Sequence, residues 1–225
     1  MSESGPKETL IEVAIDRLSA DIVSGELPPD HKLQIAELKT RYQIGASPLR
    51  EALAKLSSLG FVVFDSRRGF RVAAISREDL VDITRVRKII EIEALRSSIA
   101  AGDDEWEVGV VAAIARLRLI GARSREGTPP SLEEVERAHR QFHLALLGGC
   151  HSPRLTSFQQ MLYDQAQRYR KVMLSHWDDL DDFVAKHVQL AETILGRDCE
   201  EACTALAQHI ELTLSHVYPD ANGKR

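Results

Sequence analysis

Ser47-Pro48-Leu49-Arg50-Glu51-Ala52-Leu53 is the stretch on which the reading of this chain turns. Ser47 can cap free backbone N–H groups, Pro48 at the first helical position forfeits no needed donor, and Glu51 sits near the positive end of a helix dipole. The stretch therefore predicts a helix start. Leu49, Leu53 and Leu56 fall on one face, as do Ala52 and Leu59, which leaves Ser47, Arg50 and Lys55 to face a partner. An exposed arginine beside a helix N-terminus suits a DNA phosphate or a guanine edge, and it equally suits an ordinary solvated surface.

The neighbouring segments narrow that choice. Upstream, residues 33–42 carry Leu33, Ile35, Ala36 and Leu38 at helix-compatible spacing, and Gln43-Ile44-Gly45-Ala46 makes a short turn. Downstream, Gly60 ends the second helix and Phe61-Val62-Val63-Phe64 has strand composition. Asp65-Ser66-Arg67-Arg68-Gly69 makes a tight basic turn, and Phe70-Arg71-Val72-Ala73 returns as a second strand. Helix, turn, helix and a hairpin with arginines at its tip describe a winged helix-turn-helix. Before it, residues 9–24 form an amphipathic helix with Leu10, Val13, Ala14, Leu18, Ile22 and Val23 on or near one face, ended by Gly25. Residues 1–8 are polar and are expected to be disordered.

Charge supports a nucleic-acid partner for this region. The chain as a whole carries a formal charge of -5, but residues 32–77 hold nine Lys/Arg against three acids, a local +6. A basic patch of this kind supplies the sequence-independent, salt-dependent part of DNA affinity. At 225 residues the chain is long enough for two modest domains, and 44% hydrophobic with only 5% aromatic content suits a helical chain rich in Ala and Leu. No apolar run approaches transmembrane length and no signal peptide is evident, so a cytoplasmic protein with no membrane partner is expected. Three cysteines, Cys150, Cys199 and Cys203, make no disulfide framework and point to a reducing compartment. Cys199 and Cys203 stand one helical turn apart, which fits two small packed residues or a metal or redox pair.

Beyond residue 75 every segment reads as helix. Ser76-Arg77-Glu78-Asp79 caps a long amphipathic segment, 80–101, and marks the domain boundary, giving a winged domain at 1–75 and a helical domain at 76–225. Residues 104–125 follow, and Gly127-Thr128-Pro129-Pro130 breaks them. Ser131-Leu132-Glu133-Glu134 is a capping box for a helix to 147, Ser152-Pro153 opens one lasting to about residue 176, and 179–195 is the next. Asp198 with Glu201 caps the last, which ends near Pro219. The fold class is thus mostly α: an N-terminal winged helix-turn-helix and a C-terminal all-α bundle.

Within the bundle, His139 and His143 lie four apart on one helix, the spacing of helical metal pairs, while His187 and His209 lie in two later helices. Antiparallel helices can bring all four to one depth, where imidazoles would suit zinc, nickel, copper or iron(II). Each alone fits a surface or hydrogen-bonded histidine equally well. His31, His151, His176 and His216 read as surface or structural.

Two resemblances bear on these alternatives. Residues 9–75 resemble the DNA-binding domain of the GntR family through Gly25-Glu26-Leu27-Pro28-Pro29-Asp30, Ser47-Pro48-Leu49-Arg50-Glu51-Ala52-Leu53 and Arg68-Gly69-Phe70-Arg71-Val72. The resemblance implies double-stranded operator DNA as partner, with Ser47, Arg50, Arg67, Arg68 and Gly69 as its contacts. The chain departs from the family at Gly45-Ala46, where a Ser-Arg pair is usual, so a different operator sequence is expected. Residues 78–217 resemble the FCD subgroup through Arg87 four before Glu91, Phe142-His143, His187 opening an Ala-rich stretch, and His209. That likeness implies a divalent metal, zinc foremost with nickel or iron as alternatives, on His139, His143, His187 and His209. His139 stands where the subgroup has Asp, so the site would be all imidazole. It further implies a small carboxylic acid effector with Arg87 as its first guanidinium partner; Arg168 and Arg170, on the helix between the two histidine pairs, come next, and either fits a solvated arginine as well. Gly45-Ala46-Ser47-Pro48-Leu49-Arg50, Gly102-Asp103-Asp104-Glu105-Trp106-Glu107 and the His-x-x-Phe-His run resemble regulators of glutarate use, which makes a dicarboxylate the expected acid. The function expected is a homodimeric, ligand-responsive repressor and not an enzyme. A metal-dependent hydrolase or oxygenase built on the histidines, and a regulator whose metal is purely structural, are the alternatives.

Overall fold

The computed structural model describes residues 9–174 and 179–219, with side chains except at 171–174. Residues 1–8 and His176, on which expectations were placed above, lie outside the described residues. The chain divides into two compact units, residues 1–79 with 164–171, and residues 80–163 with 172–225.

In the first unit, α1 (Leu10–Ser24) opens with a full capping box between Thr9 and Glu12 and closes at Gly25, whose φ of 78° suits glycine. Then follow α2 (Ile35–Tyr42), α3 (Ala46–Ser58), β1 (Val62–Asp65) and β2 (Gly69–Val72). The two strands pair antiparallel, with Val62 opposite Val72 and Asp65 opposite Gly69. Asp65 Oδ1 accepts from the backbone N–H groups of Arg67 and Arg68 at 2.7 and 3.1 Å, which shapes the wing tip. Gly69 closes it at φ 75°. The core is a contiguous set including Ala14, Leu18, Leu38, Leu49, Leu53, Leu56, Phe61 and Val72.

Two local expectations are corrected. The helix of the opening stretch starts two residues earlier, with Gly45 as N-cap and no side-chain cap. Ser47 and Pro48 both lie in its first turn, where backbone N–H groups have no helical acceptor, so Pro48 remains harmless. The Ser47 hydroxyl instead donates to Glu51 at 3.3 Å. Residue 33 is also not helical: Lys32 bridges to Arg71 and the Leu33 N–H donates to the Phe70 carbonyl at 2.9 Å, so this segment extends along the wing and α2 begins at Ile35.

The second unit is built from α4 (Arg77–Ala101), whose first three residues belong to the first unit, α5 (Asp104–Arg125), α6 (Leu132–Leu146), α7 (Pro153–Leu174, of which 164–171 belong to the first unit), α8 (Leu180–Leu195) and α9 (Cys199–Val217). Side-chain oxygens of Asp103, Ser131, Asp179 and Asp198 accept first-turn N–H groups of α5, α6, α8 and α9. α5 packs on α6 and α8, and α8 on α9. Their shared core runs through Leu95, Trp106, Val110, Leu117, Phe142, Leu146, Leu190, Ile194 and Leu206. The backbones of α4 and of the turn before α7 approach closely: a Cβ on Gly149 would meet the Ser98 carbonyl oxygen at 2.7 Å and Gly102 Cα at 3.1 Å. That contact requires glycine.

Candidate metal centre and nucleic-acid face

The buried face of α6 carries Val135, Ala138, His139, Phe142, His143 and Leu146. Helical periodicity thus points the histidine pair at the core along with its apolar neighbours. His187 occupies the same kind of position on α8, between Phe183, Val184, Leu190 and Ala191, and His209 stands on α9 next to buried Ile210. One candidate ligand atom from each of the four lies within 4.8 Å of all the others; three of the residues are buried and His209 is half-buried. The Nε2 atoms of His139 and His143 are 3.0 Å apart. Two imidazoles sharing one ion at about 2.1 Å place their nitrogens about 3.0–3.4 Å apart, so this pair already has the spacing of a chelate.

Protonation favours the same chemistry. Burial, and then the charges of His139, His209, Arg87 and His187, hold the His143 imidazole well below its ordinary pKa, so it offers a neutral lone pair. His143 Nδ1 has no hydrogen-bond partner among the described residues, an expensive state for a buried nitrogen unless a cation or water meets the cluster. The other nitrogens are oriented by neighbours. His187 Nδ1 is 2.6 Å from the Phe183 carbonyl and donates to it, which leaves Nε2 as the lone pair. His139 Nδ1 lies 3.1 Å from the Tyr163 hydroxyl and 3.9 Å from the Glu136 carboxylate. A groove of about 240 Å³ between α8 and α9, lined by Lys186, Gln189, Leu190, Gln208, Leu212 and His209, brings solvent to the fourth histidine. The donor set and its setting fit a borderline divalent ion.

Arg87 is buried and its Nε donates to Glu91 at 2.6 Å. Its guanidinium lies 5.6 Å from the centre of the Tyr163 ring, and that of Arg140 lies 5.7 Å from the same ring. Two guanidinium groups therefore flank the tyrosine that touches His139. The sequence reading singled out Arg87 but missed Arg140, Tyr163 and Glu136. The signal for Arg140 was its place inside the His-x-x-Phe-His run; nothing in the sequence pointed to Tyr163. Arg170 is 2% exposed. Arg168, by contrast, donates to the carbonyls of Ala73 and Ala74 within the first unit. Its Nη2 is thus engaged by two backbone oxygens of the first unit. Cys150 and Cys203 are buried and Cys199 half-buried, all as free thiols. Burial first, and then Cys199, push the Cys203 thiol up to about 11, which suits a small packed residue and not a thiolate ligand.

In the winged unit, α3 buries Leu49, Ala52, Leu53 and Leu56 and leaves Ser47, Arg50 and Lys55 out of that core. Arg67 and Arg68 are exposed at the wing tip beside half-buried Gly69. Arg71 differs from them, since its guanidinium donates to the Asp30 carbonyl at 2.8 Å and braces the base of the wing. An exposed helix face with arginine in its first turns, and a basic hairpin tip, are the parts that enter a DNA groove and grip its backbone.

Residues 10–72 match the bacterial regulatory proteins of the gntR family, and residues 82–212 match the FCD domain. The chain belongs to the GntR family and carries an FCD domain. This regulator is 37% identical to the HTH-type transcriptional regulator BphR of Paraburkholderia xenovorans (strain LB400), over 93% of this chain and 85% of that one. It is 34% identical to the HTH-type transcriptional repressor GlaR of Escherichia coli (strain K12), over 86% and 89% of the two chains. Among solved structures it superposes on E. coli McbR/YncC with a TM-score of 0.78 over 94% of this chain and 98% of that one, at 17% identity. The relatives are transcriptional regulators, so the regulator is not an enzyme and the hydrolase or oxygenase reading is set aside. Among the described residues no helix is long and apolar enough to cross a membrane.

Proposed function

We propose that the regulator is a homodimeric repressor whose winged domain (1–75) grips operator DNA and whose helical domain (76–225) binds a small carboxylic acid at a metal ion. The observation that carries this reading is the convergence of four imidazoles within 4.8 Å beside the buried Arg87 guanidinium, in a chain that also exposes a basic reading head. His139, His143, His187 and His209 would hold the ion, which would supply an electrophilic centre for a carboxylate oxygen. Arg87 and Arg140 supply the counter-charge for the acid. Ser47, Arg50, Arg67, Arg68 and Gly69 meet the DNA. The sequence likeness to regulators of glutarate use supports a dicarboxylate, and the resemblance to a repressor named GlaR supports repression.

The test is a thermal-shift series of metal-loaded and metal-stripped protein against mono- and dicarboxylates, with glutarate among them. An acid at about 100 times its dissociation constant stabilises by about 2.7 kcal/mol, which is about 5–11 °C for a chain of this size. The shift should vanish on stripping. A shift that survives stripping would make the metal structural, and no shift with any acid would remove the effector reading.

For the homodimer, α5 presents an apolar stripe at spacings of four and three: Val108, Ala112, Ala115, Leu119 and Ala122, with Val111 alongside. Val108, Val111 and Leu119 are 62, 52 and 59% exposed. The first turn of α5 is acidic (Asp104, Glu105, Glu107) and its last turn basic (Arg123, Arg125). A second copy packed antiparallel on this stripe sets acid against base at both ends, a self-complementary pairing of the kind a two-fold axis needs. Ala115→Glu places two carboxylates near that axis. Sedimentation should then show monomer, and operator affinity should fall by at least about tenfold as the second half-site is lost. A variant that remains dimeric would move the interface elsewhere.

A further inference from the structure

Two buried acceptors beside the arginine site have no partner among the described residues. Glu91 and Gln159 are each 1% exposed. Glu91 Oε1 is held by Arg87 Nε at 2.6 Å, but Glu91 Oε2 and Gln159 Oε1 make no hydrogen bond. The two stand at one level of the bundle. α4 and α7 run antiparallel, since Asp79 receives the Tyr169 hydroxyl where the chain enters α4, and Arg87, two turns on, lies over Tyr163. Glu91 is one turn beyond Arg87 and Gln159 is one turn before Tyr163, so each helix carries its orphan acceptor the same distance, about 5.4 Å, from the guanidinium and ring.

Resting on the effector reading above, we infer that the acid bound here carries a hydrogen-bond donor, a hydroxyl or an ammonium group, which Glu91 Oε2 and Gln159 Oε1 receive. The arginines take the carboxylate charge. A plain dicarboxylate offers this site only acceptors and would leave both oxygens unmatched, and such a mismatch is what a site built around a polar group discriminates against. The regulator should therefore prefer 2-hydroxy or 2-amino acids to the unsubstituted acids of equal length. Glu91 is the firmer of the two acceptors, because both of its side-chain polar atoms are oxygens, whereas the oxygen and nitrogen of the Gln159 amide can exchange places.

Matched titrations of the zinc-loaded full-length protein test this, with glutarate against 2-hydroxyglutarate and glutamate, and succinate against malate and aspartate. At least one substituted acid should bind about tenfold or more tightly than its plain counterpart. In Gln159→Leu that preference should collapse toward unity while the affinity for the plain acid stays within about twofold, and Glu91→Gln, which swaps an acceptor for an amide, should reduce it as well. Equal binding of plain and substituted acids to the unaltered protein overturns the inference and leaves the effector reading standing. So does a Gln159→Leu variant that melts earlier with its preference intact, which would mean that Gln159 and Glu91 serve each other or a buried water. If no acid of either kind binds, the effector reading fails and this inference fails with it.

Discussion

Replacing Arg50 and Arg67 together by alanine is expected to weaken operator binding by about 30-fold to 10⁴-fold, at about 1–3 kcal/mol for each guanidinium removed from the DNA. The operator can be selected from random duplexes with the unaltered protein. Both side chains are exposed, one on the open face of α3 and one at the wing tip, and neither is drawn into the core around Leu49, Leu53 and Leu56. The variant should accordingly keep its melting temperature within a degree or two. The dependence of affinity on salt should also flatten, by about one unit of slope for each phosphate that the variant no longer neutralises. Unchanged affinity and unchanged slope would show that α3 and the wing are not the reading head. Arg71→Ala makes a useful contrast. That guanidinium holds the Asp30 carbonyl, so its removal should act on the wing's stability as well as on DNA.

Metal removal is the second large effect. At an ion concentration about 1000 times the dissociation constant, binding contributes about 4.1 kcal/mol, so chelation should lower the melting temperature by about 8–16 °C. Four imidazoles are drawn to within 4.8 Å of one another, with His143 already held neutral by burial, and an ion among them would neutralise their converging lone pairs. His143→Ala should start from a lower melting temperature and lose most of its response to the chelator, since it removes both a ligand and a packed ring. The reading head has its own core, so stripped protein should still bind DNA. Equal melting with and without chelator would make the cluster a hydrogen-bonded set of histidines, joined through the 3.0 Å His139–His143 contact.

Much of this was legible along the chain because it depends on local periodicity. The spacing of His139 and His143 already placed the pair on one face of one helix, and the caps at Ser131 and Asp198 set the frame of two of the helices that carry the four histidines. The alternation from Phe61 to Ala73 around Arg67, Arg68 and Gly69 similarly announced the wing to within one residue at each strand end. Where a boundary moved, a neighbour in space was the cause. Residue 33 left its helix because the Phe70 carbonyl offered its N–H a partner across the wing.

The sequence by itself determined the winged head and the helical bundle, since helix and strand periods select which side chains are buried, and it offered the four histidines only as candidates. Only the tertiary structure decided what surrounds them. Arg168 and Arg170 look interchangeable in one dimension, yet two residues on a helix point about 200° apart, and one of them is spent on the Ala73 and Ala74 carbonyls. Arg140, Tyr163 and Glu91 gather around Arg87 from three helices whose adjacency no local pattern encodes, because which helices become neighbours is settled by how their apolar faces pack and not by any one helix's own residues.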